Sequence, residues 1–254
     1  MKKTTSFLFL NLAVASIAFG QLQPNKQTPE SSEIWEPVPP IVTPGTSSPN
    51  ASGLTAPSDA IVLFDGKNFD NWVSTKDKSA PKWTLAEGAM IVAKGTGDVQ
   101  TKQEFGDYQL HIEFRTPAVV EGKGQGRGNS GIFMQDRYEL QVLDNYENPT
   151  YVNGQVGSIY KQAIPMANPS RKPGEWQTYD IIYQAPRFSK SGLMSEPGYI
   201  TVLLNGVLVQ NHTAIRGGTP YIGFPDVKAH GKGPIRLQDH GNPTAFRNIW
   251  IREL

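Results

Sequence analysis

The chain has 254 residues, 38% of them hydrophobic, which is enough to bury the core of one domain. A net charge of +1 provides no strong field for attracting nucleic acid, and the absence of cysteine excludes disulfide bonds, thiolate metal ligands and a cysteine nucleophile. The 25 glycines and 20 prolines favour many turns between short strands. An all-β domain is therefore predicted.

The first 20 residues have the pattern of a secretory signal peptide. Two lysines precede an apolar stretch at 7–19, and Ala18 and Gly20 supply small residues at the −3 and −1 positions of a cleavage site. The stretch is shorter than the roughly 20 residues that a membrane-spanning helix needs. The sequence therefore predicts residues 1–20 as a signal peptide, a mature protein without a membrane span, and location in the periplasm or outside the cell.

Residues 21–58 are rich in proline and polar side chains and show no apolar periodicity. Such a segment is predicted to be a poorly ordered linker without a core of its own. Ile34 and Trp35 are exceptions that could dock on the domain. The folded domain is expected at 59–254.

Short β-rich runs separated by turn residues recur from Ile61 onward, which is typical of a sandwich or jelly roll. Alternating apolar and polar residues at 108–115 predict a strand with one face in the core. Asn205 and Gly206 predict a type I′ hairpin turn, because both central positions of that turn need positive φ. The hairpin strands are expected at 198–204 and 207–210, and further strands at 176–183 and 246–253.

The densest polar signal is the run 128–144, which is predicted to form a strand, a tight turn and a second strand. On the second strand Glu139 and Gln141 share one face about 7 Å apart, whereas Asp144 joins them only if a β-bulge intervenes. The spacing is similar to the E-x-D-x-x-E strand of laminarinase-type glycosidases. Since Gln141 replaces the central acid, a two-carboxylate retaining mechanism is in doubt. Solvated residues on an open sheet face are the alternative interpretation.

A second signal lies near the C-terminus. If residues 235–240 are extended, Arg236, Gln238 and His240 project from one face. Histidine is the natural general acid or base near neutral pH, and the alternative for His240 is a structural role against a loop carbonyl. His111 and His212 are expected at the surface.

Several motifs together resemble the 3-keto-disaccharide hydrolase family over about 59–254. They are 61–67, Asn71-Trp72, Trp83, 128–132, 138–144, 168–176 and 235–241. The resemblance implies an exported, concanavalin-like β-sandwich of two antiparallel sheets that hydrolyses oxidised glycosides. We assign Glu139 and His240 to catalysis. The polar positions assigned to substrate binding are Asn129, Gln141, Asp144, Arg236 and Gln238.

The implied chemistry suits these residues. A ketone at sugar C3 acidifies the C2 proton, so one base can remove it while the aglycone leaves C1, after which water adds to the unsaturated sugar. We hypothesise that Glu139 or His240 takes the proton and the other assists the leaving oxygen, while Arg236 with Gln238 or Asn129 holds the ketone and nearby hydroxyls. No cofactor is firmly predicted, and a divalent cation is an alternative to the arginine for polarising the ketone.

Three other functions stay open at this point. A concave β-sandwich face can bind glycans without catalysis, since a fold alone does not decide function. A conventional glycosidase needs two facing carboxylates, which Gln141 disfavours. Export and the proline-rich segment alone suggest an adhesion role. The expected partner is a carbohydrate, and the sequence gives no oligomeric state.

Overall fold

A computed structural model describes residues 28–41 and 56–254. The predicted signal peptide at 1–20, and residues 21–27 and 42–55 of the predicted linker, lie outside the described residues. Within the two described ranges, no helix combines the length and the apolar composition needed to cross a membrane.

The described residues form fifteen strands and three short 3-10 helices, the latter at Pro29–Ser32, Gly124–Gly126 and Val152–Gly154. In chain order the strands are β1 (Ile61–Phe64), β2 (Trp72–Ser74), β3 (Thr84–Ala86), β4 (Ala89–Ile91), β5 (Val99–Thr101), β6 (Tyr108–Arg115), β7 (Ser130–Met134), β8 (Tyr138–Val142), β9 (Gln177–Gln184), β10 (Arg187–Phe188), β11 (Met194–Glu196), β12 (Gly198–Leu204), β13 (Val207–Ile215), β14 (Arg236–Leu237) and β15 (Ala245–Glu253).

These strands build the predicted β-sandwich. One antiparallel sheet has eight strands in the order β13-β12-β9-β6-β15-β4-β3, with β1 also paired to β15. The other has five strands in the order β2-β5-β14-β7-β8, and β10 and β11 form a separate hairpin. The hydrophobic core fills the space between the two sheets because apolar side chains alternate toward it along each long strand. The all-β fold class is confirmed.

The predicted strand at 108–115 is β6, and its apolar face lies in the core as predicted. Its core-facing residues are fully buried: Tyr108, Leu110, Ile112 and Phe114. The predicted hairpin is β12-β13, with φ of 52° at Asn205 and 78° at Gly206, and its second strand continues to Ile215. The strands predicted at 176–183 and 246–253 appear within one residue as β9 and β15.

The expectation that His111 lies at the surface is wrong, whereas His212 is exposed as expected. The side chain of His111 points away from the core, yet it is only 1% exposed. The Trp250 ring stacks on it with a centroid separation of 5.2 Å. A register shift in β15 between Arg247 and Trp250, with a φ of 45° at Asn248, accompanies this arrangement. The alternation of apolar and polar residues along β6 could not predict that His111 is buried, because Trp250, which covers it, belongs to another strand.

Around His111 the charged groups are paired. Its Nδ1 donates to the Asp180 carboxylate at 2.7 Å, and its Nε2 lies 3.7 Å from Glu113, which also accepts from Arg247 Nε at 2.6 Å. Burial opposes the charged form of His111, but the bonds to Asp180 and Glu113 outweigh it and raise the pKa of His111 to about 9. Burial likewise opposes ionised Glu113, but its partners lower the pKa to about 2. This group is a buried ion-pair network on the outer face of the eight-stranded sheet.

The free edge of the five-stranded sheet is covered by residues 157–160. Leu140 of β8 forms an antiparallel bridge with Ile159. On either side of that bridge, Tyr160 N–H donates to Glu139 O at 3.0 Å and Gln141 N–H donates to the 158 carbonyl at 3.0 Å. The covering segment therefore places Tyr160 beside Glu139.

Candidate functional site

The predicted polar residues meet on the outer face of the five-stranded sheet. Arg236 of β14 lies opposite Phe133 of β7, and Phe133 lies opposite Glu139 of β8. Two residues away on each strand, Gln141 lies opposite Gly131. The Gly131 carbonyl accepts a hydrogen bond from Gln238 N–H at 3.1 Å. Side chains at these facing positions share one face of the sheet. The two sequence signals, distant in the chain, are thus brought together.

Glu139 is the most unusual of these residues. It is only 6% exposed, and within the described chain its carboxylate has no hydrogen bond or ion pair. Burial raises its pKa to about 8, the charge of Arg236 opposes this rise, and that of Asp98 adds to it. Gly131 leaves space for the carboxylate, since a Cβ there would lie 2.5 Å from Glu139 Oε1. A buried, unpaired acid with a pKa near neutrality suits proton transfer.

Arg236 is held in place by its neighbours. Its Nε donates to Asp136 and its Nη1 donates to Asp98, while the guanidinium carbon lies 3.5 Å from the centroid of the Phe133 ring. Asp98 also accepts from the backbone N–H of Asp239 at 2.8 Å. Two carboxylates and a ring therefore fix the orientation of this cation two strands away from Glu139.

Tyr160 and Tyr151 belong to this face, although no motif in the sequence indicated them. The hydroxyls of the two tyrosines are 2.8 Å apart, and both groups interact electrostatically with Glu139. Burial raises the pKa of Tyr160 to about 12, so its hydroxyl stays protonated near neutral pH. The residue pattern of β8 does not predict these tyrosines, because they lie in a later loop that reaches β8 only in the folded structure, through backbone hydrogen bonds.

Near this face, two of the buried amide oxygens that have no hydrogen-bond partner among the described residues belong to residues assigned to substrate binding. They are Asn129 Oδ1 and Gln238 Oε1. Asn129 is 3% exposed, and its Nδ2 donates to the Gln125 carbonyl at 2.7 Å, which fixes the orientation of the amide. Since buried polar atoms normally have partners, both oxygens are candidates for accepting hydroxyl protons from a ligand.

Gln141 and Asp144 are engaged by the protein itself. Gln141 Nε2 donates to Gln125 Oε1 at 3.0 Å, and its Oε1 accepts from a backbone N–H at 3.1 Å. Asp144 accepts from Arg127 Nε at 2.6 Å and from Tyr146 N–H at 3.1 Å. These bonds hold the loops beside β8, so both residues shape the rim of the site.

His240 is exposed in the loop that follows β14, and its side chain makes no hydrogen bond within the described chain. Among the described residues, no hydrogen bond or ion pair connects the His240 side chain with the group around Glu139. Among residues 28–41 and 56–254, no group of three or more histidine, aspartate or glutamate side chains is arranged to hold a metal ion.

Known proteins resemble the whole domain. A protein of Bacteroides thetaiotaomicron named 3-keto-disaccharide hydrolase is 27% identical over an alignment of 242 positions, which covers 79% of this chain and 81% of the relative. The crystal structure of a candidate glycosyl hydrolase from Parabacteroides distasonis is 59% identical, with a TM-score of 0.79 over 89% of this chain and 97% of the other. A second such structure from that organism, 20% identical with a TM-score of 0.57 over 82% and 97%, supports the fold alone.

The β-sandwich and these matches define a glycoside hydrolase-like enzyme. The chain belongs to the family described as the 3-keto-alpha-glucoside-1,2-lyase-like domain, whose model matches residues 59–252.

Proposed function

We propose that the protein cleaves 3-keto-glycosides by removing the C2 proton and eliminating the aglycone from C1, followed by addition of water. The family description, a 1,2-lyase-like domain, supports the elimination, and the relative named as a hydrolase supports the net addition of water. The same net hydrolysis results when elimination precedes hydration.

The observation that carries the proposal is the carboxylate of Glu139. It is buried, it is unpaired among the described residues, and burial raises its pKa to about 8. Only about a tenth of the molecules carry the ionised form at pH 7, but that form is a stronger base than an ordinary glutamate. An elimination needs one base of this kind rather than two facing carboxylates. That requirement agrees with an amide at Gln141, where a two-carboxylate glycosidase would have an acid.

In the proposed reaction Glu139 takes the C2 proton, and the electron pair of the C2–H bond forms a C1=C2 double bond as the C1–O bond breaks. The aglycone oxygen leaves with the bonding electrons and gains a proton. Water then adds its hydroxyl to C1 and its hydrogen to C2. The Arg236 guanidinium favours negative charge on the ketone oxygen, while Asn129 Oδ1 and Gln238 Oε1 accept sugar hydroxyls.

Two groups compete for the proton transfer to the leaving oxygen. Tyr160 lies beside Glu139 and keeps its hydroxyl proton, which makes it our first candidate. His240 is the alternative that the sequence supplies, and it would have to reach the substrate from its exposed loop. The variants Tyr160→Phe and His240→Ala distinguish these two groups. Removing the residue that donates the proton slows release of a poor leaving group more than release of a good one, whereas removing the other residue does not.

The decisive experiment compares aglycone release from a 3-keto-glucoside and from the matching unoxidised glucoside, with and without a chelator. We expect the wild type to turn over the keto substrate alone, and Glu139→Gln to lose about a thousandfold in kcat. Glu121→Gln, at an exposed position, is the matched control. Unchanged turnover in folded Glu139→Gln would remove this residue from the mechanism. A folded wild type that binds glycans but cleaves neither substrate would indicate a binding module.

We also propose that the mature protein is exported, on the basis of the signal-peptide pattern at 1–20. N-terminal sequencing of protein recovered outside the cytoplasm should begin at Gln21. Recovery of the uncleaved chain from the cytoplasm alone would contradict this.

A further inference from the structure

Residues 28–41, which we call the N-terminal strap, are bonded to the domain at several points. Ile34 N–H donates to Asn153 Oδ1 at 2.9 Å, and Asn153 Nδ2 donates to the Ser32 carbonyl at 2.9 Å. The Ile34 carbonyl in turn accepts from Val152 N–H at 2.6 Å. These reciprocal bonds connect the strap to the loop that carries Tyr151 and Tyr160.

Lys161 fastens the strap a second time. Its side-chain ammonium donates to the Pro29 carbonyl at 2.6 Å and to the Tyr221 carbonyl at 2.9 Å, and the residue is only 7% exposed. The rings of Tyr151, Tyr160 and Tyr221 surround the ammonium at 5.1 to 5.7 Å from their centroids. A buried cation shared in this way fixes the strap and the loop of Tyr221 on the same side of the domain.

The strap brings Trp35 to the edge of the candidate site. Trp35 contacts Tyr151 edge to face with ring centroids 6.2 Å apart, and 58% of the residue is exposed. Tyr151 contacts Tyr160, which lies beside Glu139. The order along this face is thus Arg236, Glu139, the tyrosine pair and Trp35. The family model begins at residue 59, so Trp35 lies outside the residues that the model matches.

The two flanks of Glu139 differ chemically. On one side Arg236 is charged and already bonded to two aspartates. On the other side the surface is aromatic and ends in a large exposed ring. An aromatic ring offers apolar contact area to the C–H groups of a sugar, which a charged and hydrogen-bonded flank does not. A two-sugar substrate with its keto sugar at Glu139 therefore has an apolar surface available for its second sugar on the strap side.

We propose that Trp35 is a specificity-determining residue that stacks on the leaving-group sugar of a 3-keto-disaccharide. The inference rests on the proposed function and names the part of the substrate that the strap recognises. It makes the strap a component of the substrate site rather than a spacer before the domain.

The test measures kcat/KM of the full mature chain on a 3-keto-disaccharide and on the methyl 3-keto-glucoside, which lacks a second sugar. For Trp35→Ala we expect about a tenfold loss on the disaccharide and less than a twofold loss on the methyl glycoside. Trp35→Phe should restore most of the disaccharide activity. Val38→Ala is the matched control, since Val38 is 59% exposed in the same strap and has no aromatic ring.

Equal losses on both substrates, or no loss on either, would overturn the inference. If the wild type cleaved neither keto substrate, the proposed function would fail and calorimetry of disaccharide binding would decide the role of Trp35. Weaker binding by Trp35→Ala than by Val38→Ala would then support a sugar-stacking role, and equal affinities would overturn it.

Discussion

The two outer faces of the sandwich bury charged groups in opposite ways. On the eight-stranded sheet His111 lies between Asp180 and Glu113, and Arg247 completes the pairing. On the five-stranded sheet Glu139 is nearly as buried but has no partner within the described chain. Both pKa values are raised, with opposite results for the charge. A pKa of about 9 favours the charged form of His111, whereas a pKa of about 8 favours the neutral form of Glu139.

Burial alone therefore does not tell whether a titratable group serves stability or chemistry. A paired buried ion has its charge compensated in the folded state, and removing one partner leaves the others uncompensated. An unpaired buried carboxylate costs folding energy whenever it ionises, and such a cost is characteristic of sites where a proton is moved. The following variants and measurements test this contrast.

The largest effect is expected when the paired network is broken. Replacing His111 with Leu removes the cation between Asp180 and Glu113 and should lower the free energy of unfolding by about 3–5 kcal/mol, measured by urea denaturation at pH 6. The control is His240→Leu, at an exposed position without a hydrogen bond within the described chain. It should change stability by less than about 0.5 kcal/mol. A loss below about 1 kcal/mol for His111→Leu would show that the network contributes little.

The opposite result is expected for the unpaired group. Because the folded-state pKa of Glu139 is about 8 and its ordinary value is 4.5, the folded protein keeps a proton that the unfolded chain releases, so stability falls as pH rises through this range. Glu139→Gln abolishes this dependence and should be more stable than the wild type by about 3 kcal/mol at pH 7, with little difference near pH 4.5. If the wild type and Glu139→Gln had equal urea midpoints at pH 7 as well as at pH 4.5, Glu139 would not have the raised pKa of a buried, unpaired carboxyl group.

The pH dependence of stability sharpens the same contrast. The His111 contribution is fully present below pH 6.5 and is lost as pH rises through about 9. The Glu113 contribution is present above pH 4.5 and is lost as pH falls through about 2. In the Glu139→Gln background we therefore expect a plateau from about pH 4.5 to 6.5 and a decline of about 3 kcal/mol by pH 9. A flat curve above pH 6.5 would exclude a charged His111.

The smallest expected effect comes from filling the space that the carboxylate occupies. In Gly131→Ala the new methyl group meets Glu139 Oε1 at 2.5 Å and the Phe133 ring at 2.9 Å, so the carboxylate must shift. We expect a stability loss of about 1–2 kcal/mol and about tenfold slower turnover. Gly126→Ala is the control because no atom lies within 4 Å of its added methyl group. Full activity in Gly131→Ala would mean that the position of Glu139 is not critical.

Local pattern predicted the fold well. The alternation at Tyr108–Arg115 and the Asn205-Gly206 turn each report directly on backbone conformation, and both were confirmed. The face that carries Glu139 and Arg236 followed from parity along two separate strands.

The rest of the site could not be predicted from parity, because it depends on contacts between distant segments. Tyr160 reaches Glu139 by pairing with the edge of β8, and Asp98 reaches Arg236 across a span of 138 residues. The environment of His111 was predicted wrongly for the same reason, since Trp250 covers it from another strand. For the strap, the signal in the sequence was the pair Ile34 and Trp35, two apolar residues in a polar segment.

The backbone pairing of residues 157–160 with β8 has a consequence for the behaviour of the protein in solution. An uncovered edge strand presents unpaired N–H and C=O groups that can recruit a strand from another molecule. Here the outward groups of β8 at Glu139 and Gln141 are already bonded to the chain itself. Edge-to-edge aggregation through the strand that carries Glu139 would first require residues 157–160 to detach, so this strand is protected from self-association as long as that segment remains folded.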